Sequence, residues 1–305
     1  MRIVSLIASA TEIICALGFQ DNLVGRSHEC DFPAGIESLP ALSSPKIDVH
    51  GTSAEIDRRV KDVVREGLSV YDIDADLLKA LKPDVIVTQD QCEVCAVSLH
   101  DVEEAVAEWT GSRPVIVSLK PESMHDVWQD IRRVSDALRC RERAEALILE
   151  IQKEMEEISA ECEGLVPPLN VACIEWVDPL MAAGNWVPEM VHLLHARCAF
   201  GAPGEHSKYI TWEDIVKKDP NVIITMPCGY DMDRTRQDIP LLTGKPGWAD
   251  LKAVRHGRVY VTDGDQYFNR PGPRLRESLQ MMAEMCYPGR FSFGFEGKGW
   301  QKLGG

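Results

Sequence analysis

Between residues 122 and about 164 the chain carries no strand signal, only two helical patterns with a break around 138–141. The second pattern puts Ala144, Leu147, Ile148, Ile151, Met155, Ile158 and Cys162 on one face, at spacings of three, four and seven. At 1.5 Å per residue such a helix spans roughly 30 Å, the width of a small domain. It separates two blocks in which short apolar runs alternate with amphipathic segments, the pattern of α/β layers. The expected fold is therefore two α/β lobes with central parallel-type sheets, joined by a single long backbone helix. The expected boundaries are 1–140 for the N-terminal lobe, 141–164 for the helix, 165–289 for the C-terminal lobe and 290–305 for a tail. With 305 residues at 45% hydrophobic content the chain can fill two cores, which excludes disordered and fibrous classes.

In the first block, 3–7 reads as a strand and Ser9-Ala10-Thr11-Glu12 as a capping box opening a helix that Gly18 closes. A strand at 23–25 leads into the polar loop Arg26-Ser27-His28-Glu29-Cys30-Asp31-Phe32-Pro33. Helices are expected at 55–66, 74–81 and 99–109, with strands at 85–88 and 114–119. In the second block strands are expected at 169–175, 222–226 and 258–262, and helices at 186–194, 211–217 and 273–286. An internal echo links the blocks: Leu81-Lys82-Pro83-Asp84-Val85-Ile86-Val87-Thr88 resembles Lys218-Asp219-Pro220-Asn221-Val222-Ile223-Ile224-Thr225. Two similar lobes about a strut imply a cleft, with the loops after the strands at its mouth, where open α/β sheets bind ligands. The same echo also arises if Pro-Asp-Val-Ile is simply a frequent entry to buried parallel strands.

Charge narrows the partners. The 33 Lys+Arg against 48 Asp+Glu give −15 at neutral pH, a field that repels phosphate backbones, so nucleic acid is not expected. No stretch approaches the ~18 apolar residues of a membrane span. The N-terminal run has no long hydrophobic region or cleavage site, so the chain reads as cytoplasmic as written, or periplasmic had a leader been removed. Ten cysteines are spread along the chain, several inside apolar runs, as reduced buried thiols are. Phosphate-cradling Gly motifs, the Gly-x-Ser-x-Gly elbow and His-Glu-x-x-His are all missing, which favours binding over catalysis.

Two groups of residues remain as candidates. Cys92-Glu93-Val94-Cys95 has metal or redox spacing and follows a buried strand, but no second matching pair exists; His28, Cys30, His206 and Cys228 could add ligands only through the fold. The alternative is a pair of loop thiols packing beside the cleft. Trp176, Trp186, Tyr230, Tyr267 and Phe268 all fall in loops or at element starts of the second block, a placement that suits a large flat ligand. Trp128 and Trp248 read as core. Asn185 and Arg270 would add polar contacts to amides or carboxylates, or act as a local cap and an ordinary surface residue.

The opening Arg2-Ile3-Val4-Ser5-Leu6-Ile7-Ala8-Ser9-Ala10-Thr11-Glu12, with Gly18, Val24-Gly25, Asp31-Phe32-Pro33 and Leu81-Lys82-Pro83-Asp84-Val85-Ile86, resembles the class III periplasmic substrate-binding proteins for iron chelates and cobalamin. Glu175-Trp176-Val177-Asp178-Pro179, Ala183-Gly184-Asn185-Trp186-Val187-Pro188-Glu189 and Tyr267-Phe268-Asn269-Arg270-Pro271-Gly272-Pro273-Arg274 continue the likeness, which is closest to the cobalamin-binding branch and spans about 2–288. The resemblance implies a non-catalytic receptor with a corrinoid, cobalamin, held between the lobes by Ser9, Ala10, Thr11, His28, Glu29, Trp176, Trp186, Tyr267, Phe268 and Arg270; Asn185 and Tyr230 join this ligand set by their placement in loops. It also implies docking on an ABC-type permease through one acidic residue per lobe, Asp76 and Glu213. The Cys92/Cys95 loop and the group at His28 look like a leaderless sub-branch. His28 or a nearby thiol is expected to approach the cobalt. The alternatives are a metal ion or iron chelate bound through His28, Cys30, Cys92, Cys95 and Cys228, and a Cys92/Cys95 redox pair acting on a bound cofactor.

Overall fold

The computed structural model describes residues 1–65, 70–89, 99–107, 113–165 and 167–304. It divides into two compact units, one of Met1–Gly51, Glu55–Pro121 and His125–Leu149, the other of Thr52–Ala54, Glu122–Met124 and Glu150–Gly305.

The first unit runs β1 (Ile3–Ser5), α1 (Ala8–Ala16), β2 (Leu23–Arg26), β3 (Ser43–Pro45), α2 (Ser53–Arg65), β4 (Tyr71–Ile73), α3 (Ala75–Leu81), β5 (Val85–Gln89), α4 (Leu99–Ala107), β6 (Val115–Leu119), α5 (Met124–Leu138) and the start of α6 (Arg141–Cys162). Its main sheet is wholly parallel, in the order β2-β1-β5-β6. Every residue of β5 is buried, as expected of a parallel strand covered on both faces. Val4, Leu6, Leu42, Leu78, Ile86 and Val102 form the core on one side.

The expected capping box is not there. Helix α1 begins at Ala8 with Ile7 as N-cap and no side-chain cap bond, so Ser9, Ala10, Thr11 and Glu12 lie inside the helix and are buried. The Thr11 hydroxyl turns inward to Ser5 Oγ at 2.8 Å instead of capping. Gly18, at φ +84°, does end the helix, its N–H bonding the Cys15 carbonyl.

The break between α5 and α6 falls at Arg139, whose φ is +57°. Glu145 of α6 then pairs with Arg132 at 2.9 Å and Arg141 at 2.8 Å, lacing the turn. Asp130 of α5 is 1% exposed; it accepts the Lys120 N–H at 3.1 Å and pairs with Arg133. Burial outweighs both and pushes its carboxyl up to about 6. That folded value lies above the unfolded one near ~4, so the contribution to stability is complete below ~4 and lost as pH rises through 6. Asp130→Asn should remove this dependence: the wild type gains on the variant, by something on the order of 3 kcal/mol, between pH ~7 and ~4. Parallel denaturation midpoints across that window would count against it.

The second unit contains the rest of α6, then β7 (Asn170–Trp176), β8 (Met181–Ala182), α7 (Val187–Leu193), β9 (Arg197–Cys198), β10 (Lys208–Tyr209), α8 (Trp212–Lys218), β11 (Val222–Thr225), α9 (Met232–Thr243), α10 (Lys252–Arg255), β12 (Val259–Thr262), α11 (Leu275–Cys286) and β13 (Trp300–Lys302). Parallel β7, β11 and β12 form the middle of a mixed sheet in the order β10-β8-β7-β11-β12-β13, with β9 beside β7. Antiparallel β8, β10 and β13 were not expected from the sequence; the first two have only two residues each and carry no periodic signal. Helix α9 was also missed, since Pro240 inside it reads as a breaker; Asp231 caps its start by accepting the Arg234 N–H at 2.7 Å. Residues beyond 289 join this unit through β13, whose Trp300 packs edge-on against Tyr260 at 5.4 Å.

The echo has a physical basis in each unit. Helices α3 and α8 both span seven residues and end on a non-glycine residue at positive φ, Lys82 (+47°) and Asp219 (+41°). A proline follows and stops the helix. The next side chain bonds the main chain entering the adjacent strand: Asp84 Oδ2 accepts the Arg2 N–H at 2.7 Å, and Asn221 Oδ1 the Asn170 N–H at 2.8 Å.

Candidate functional site

In the first unit, the carboxyl ends of β1 and β2 carry a run of small polar groups. Thr11 Oγ1 lies 3.0 Å from the Cys30 thiol, which is buried. Arg26 clips the following loop by donating to the carbonyls of Ser27, His28, Glu37 and Leu39. Ser43 Oγ donates to Ser27 Oγ at 3.0 Å and takes the His28 main-chain N–H at 3.1 Å. It also meets His28 Nδ1 at 2.9 Å, a bond whose direction follows the ring tautomer. Burial, and then the Arg26 charge, hold this imidazole below the usual histidine value, so it is neutral near pH 7. Its side chain is 27% exposed, with Nε2 3.8 Å from Glu29 Oε1. Tyr71 donates its hydroxyl to the same Glu29 oxygen at 2.9 Å and lies 5.2 Å from the His28 ring. Tyr71 was missed by sequence reasoning, although Val70-Tyr71-Asp72-Ile73 alternates as a short strand should.

The other first-unit candidates separate. Ser9 and Ala10 are fully buried, and Ser9 Oγ has no hydrogen-bond partner among the described residues. Cys92 and Cys95 lie outside the described residues. Among the described residues no group of three His, Cys, Asp or Glu side chains is arranged to hold a metal. Burial pushes the thiols of Cys15 and Cys286 up to about 12 and that of Cys162 up to about 11, as core thiols behave. Cys228 is exposed, on the loop after β11.

In the second unit, the carboxyl ends of β7, β11 and β12 bring the aromatic candidates together in two layers. The outer layer is Trp176, half-buried, with its ring 5.0 Å at 47° from that of Tyr230, which is itself buried. Arg234, four residues on, backs Tyr230: its guanidinium lies 4.2 Å over the ring and Nη2 donates to the hydroxyl at 3.0 Å. Half-buried Tyr267 is backed likewise by Arg274, 4.3 Å over its ring. The inner layer is Trp186 and Phe268, 5% and 0% exposed. Trp186 Nε1 donates to the Phe268 carbonyl at 2.7 Å, so these two fix the loop from behind. Phe268 sits at φ +62°, and Asn269 Nδ2 donates to the carbonyls of Met226 and Gly264, tying the loops after β11 and β12 to each other. Arg270 is 7% exposed, with Nη2 3.3 Å from Asp265.

Asn185 is half-buried at φ +53° and follows Gly184, where a Cβ would sit 2.4–2.6 Å from main-chain atoms of 205–207. Glu175 lies beneath: burial raises its carboxyl, while Ser207 (2.7 Å) and the Gly184 N–H pull the other way. Arg234, Arg274 and the Glu175–Ser207 pair were also missed. Only Arg234 carried a local signal, its spacing of four from Tyr230. The arrangement is a face of supported aromatic rings, suited to holding a flat ligand.

The family model described as periplasmic binding protein matches residues 3–266. The chain belongs to the periplasmic binding protein family. Its members are substrate-binding transport components and not enzymes, so the redox-enzyme alternative is set aside. This periplasmic binding protein is 24% identical, over 298 residues covering 95% of it and 81% of the relative, to an uncharacterized ABC transporter substrate-binding lipoprotein, YvrC, of Bacillus subtilis (strain 168). Its fold is that of the periplasmic heme-binding protein RhuT from Roseiflexus sp. RS-1, with a TM-score of 0.69, 21% identity and coverage of 95% and 98% of the two chains. The periplasmic vitamin B12 binding protein BtuF of Vibrio cholerae is similar as well, with a TM-score of 0.65, 18% identity and coverage of 93% and 95%. The two-lobe α/β fold expected from the sequence is the one these structures share. Among the described residues, this periplasmic binding protein has no helix long and apolar enough to cross a membrane.

Proposed function

We propose that the chain is the substrate-binding component of an ABC-type uptake system and that it carries a corrinoid, cobalamin, as cargo. The observation that carries this reading is half-buried Trp176 at the carboxyl end of the second sheet, its ring packed on buried Tyr230, which Arg234 stiffens from behind. Flat macrocycles bind through such apolar faces, and Asn185 beside them suits the ring's amide substituents. Neutral His28, with its side chain 27% exposed, is a suitable donor to cobalt. Asp76 and Glu213 are the permease contacts in this reading. Each is exposed, in the first turn of its seven-residue helix, and has no ion-pair partner among the described residues.

Purified protein mixed with hydroxocobalamin should shift the corrin bands and keep the pigment through gel filtration. Trp176→Ala should weaken retention about tenfold, whereas His28→Ala should alter the bands and leave most of the affinity. A second reading, an iron tetrapyrrole, is favoured by Tyr71 beside His28 and Glu29, since a phenol oxygen suits ferric iron. Retention of hemin with cobalamin passing through would select it. Passage of both would sink the two together.

A further inference from the structure

At the opposite edge of the second sheet, where β7 and β12 begin and β13 ends, an open cavity of about 490 Å³ is lined by Arg258, Lys302, His256, Tyr287, Trp300 and others. More than half of its lining lies beyond residue 266, outside the span matched by the family model. We propose that this cavity binds a small organic monoanion, a carboxylate on an apolar or aromatic body, independently of the cargo.

Arg258 and Lys302 supply the positive charge of one wall. Arg258 donates Nη2 to the Cys286 carbonyl and also hydrogen-bonds Tyr260, which together fix the guanidinium. Lys302 comes within reach of Gly257, its Nζ 3.0 Å from where a Cβ would be, and has no carboxylate at ion-pair distance among the described residues. Two cations without a carboxylate at ion-pair distance among the described residues share this wall, in a chain of net charge −15, and favour an anion there. The floor is apolar: the Tyr287 hydroxyl is committed to the Leu194 carbonyl at 2.7 Å and the Trp300 Nε1–H to Glu284 at 2.6 Å, so both rings present carbon. Glu296 on the rim repels a second negative charge, which favours a carboxylate over a phosphate dianion.

Titration calorimetry with benzoate, benzamide and inorganic phosphate tests this on the full chain. Benzoate should bind with a dissociation constant of about 1 mM or tighter, and benzamide and phosphate at least about tenfold more weakly. Lys302→Met, an exposed position that leaves the fold intact by circular dichroism, should weaken benzoate about fivefold, and Arg258→Lys more. Cobalamin or hemin retention should be unchanged by Lys302→Met, so failure of the cargo reading is seen separately. The proposal is overturned if benzoate shows no heat at ~10 mM, if benzamide or phosphate binds equally well, or if neither variant alters benzoate affinity.

Discussion

Glu284→Ala is expected to lower unfolding stability by about 3–5 kcal/mol, because one carboxylate of α11 holds the whole C-terminal segment. Glu284 is 5% exposed; Oε1 accepts the N–H groups of Phe293 and Gly294, and Oε2 the indole N–H of Trp300 at 2.6 Å. Alanine leaves three donors facing a void. Trp300 opens β13, which is the strand that covers β12, so loosening it also uncovers a sheet edge. Limited proteolysis should then cut within 290–304 while the remainder persists. Glu284→Gln separates charge from shape: its amide still accepts on one side but turns N–H groups toward Trp300, so roughly half the loss should remain. An alanine variant with wild-type midpoint and protease pattern would rule out this anchoring role.

The second large effect is expected at Gly264, where backbone meets backbone. A Cβ there would lie 2.2 Å from the Pro227 carbonyl oxygen and 2.8 Å from the Met226 carbonyl carbon, neither of which can swing aside as a side chain can. The Gly264 N–H bonds the Tyr230 carbonyl at 2.9 Å, and its carbonyl takes Asn269 Nδ2 at 2.8 Å, so the residue rivets the loops after β11 and β12. Gly264→Ala should cost about 3 kcal/mol or more. It should also displace Tyr230 from Trp176, and cargo retention should fall more than about tenfold. Full retention in a folded alanine variant would show that the Tyr230 loop is not part of the cargo surface.

Much of the fold was legible because long elements advertise themselves. The stripe from Ala144 to Cys162 is set by periodicity and the openings of β5 and β11 by short apolar runs, and α6, β5 and β11 appear where those patterns put them. Two-residue strands such as β8 and β10 have no period to read, and their pairing is fixed by partners distant in sequence. Ser9-x-x-Glu12 misled because a capping box is a local rule, and here Thr11 and Ser5 bond across the strand-to-helix junction instead. The candidate site was legible by residue type but not by layer. Trp176 and Phe268 look alike in sequence; only the fold shows one half-buried beside Tyr230 and the other sealed beneath Trp186. Tyr71 escaped notice because its meaning comes from His28 and Glu29, forty residues away.

The joint that follows α3 and α8 asks very little of its residues: a helix end that tolerates positive φ, a proline, and a short side chain offering an oxygen. Aspartate at 84 and asparagine at 221 meet that last demand equally well, since each needs only to accept one N–H. Identity can therefore drift nearly everywhere else while the joint survives as chemistry. A search for that grammar, turn then proline then Asx then buried strand, would locate both halves of distant relatives where residue matching has faded to about one in five.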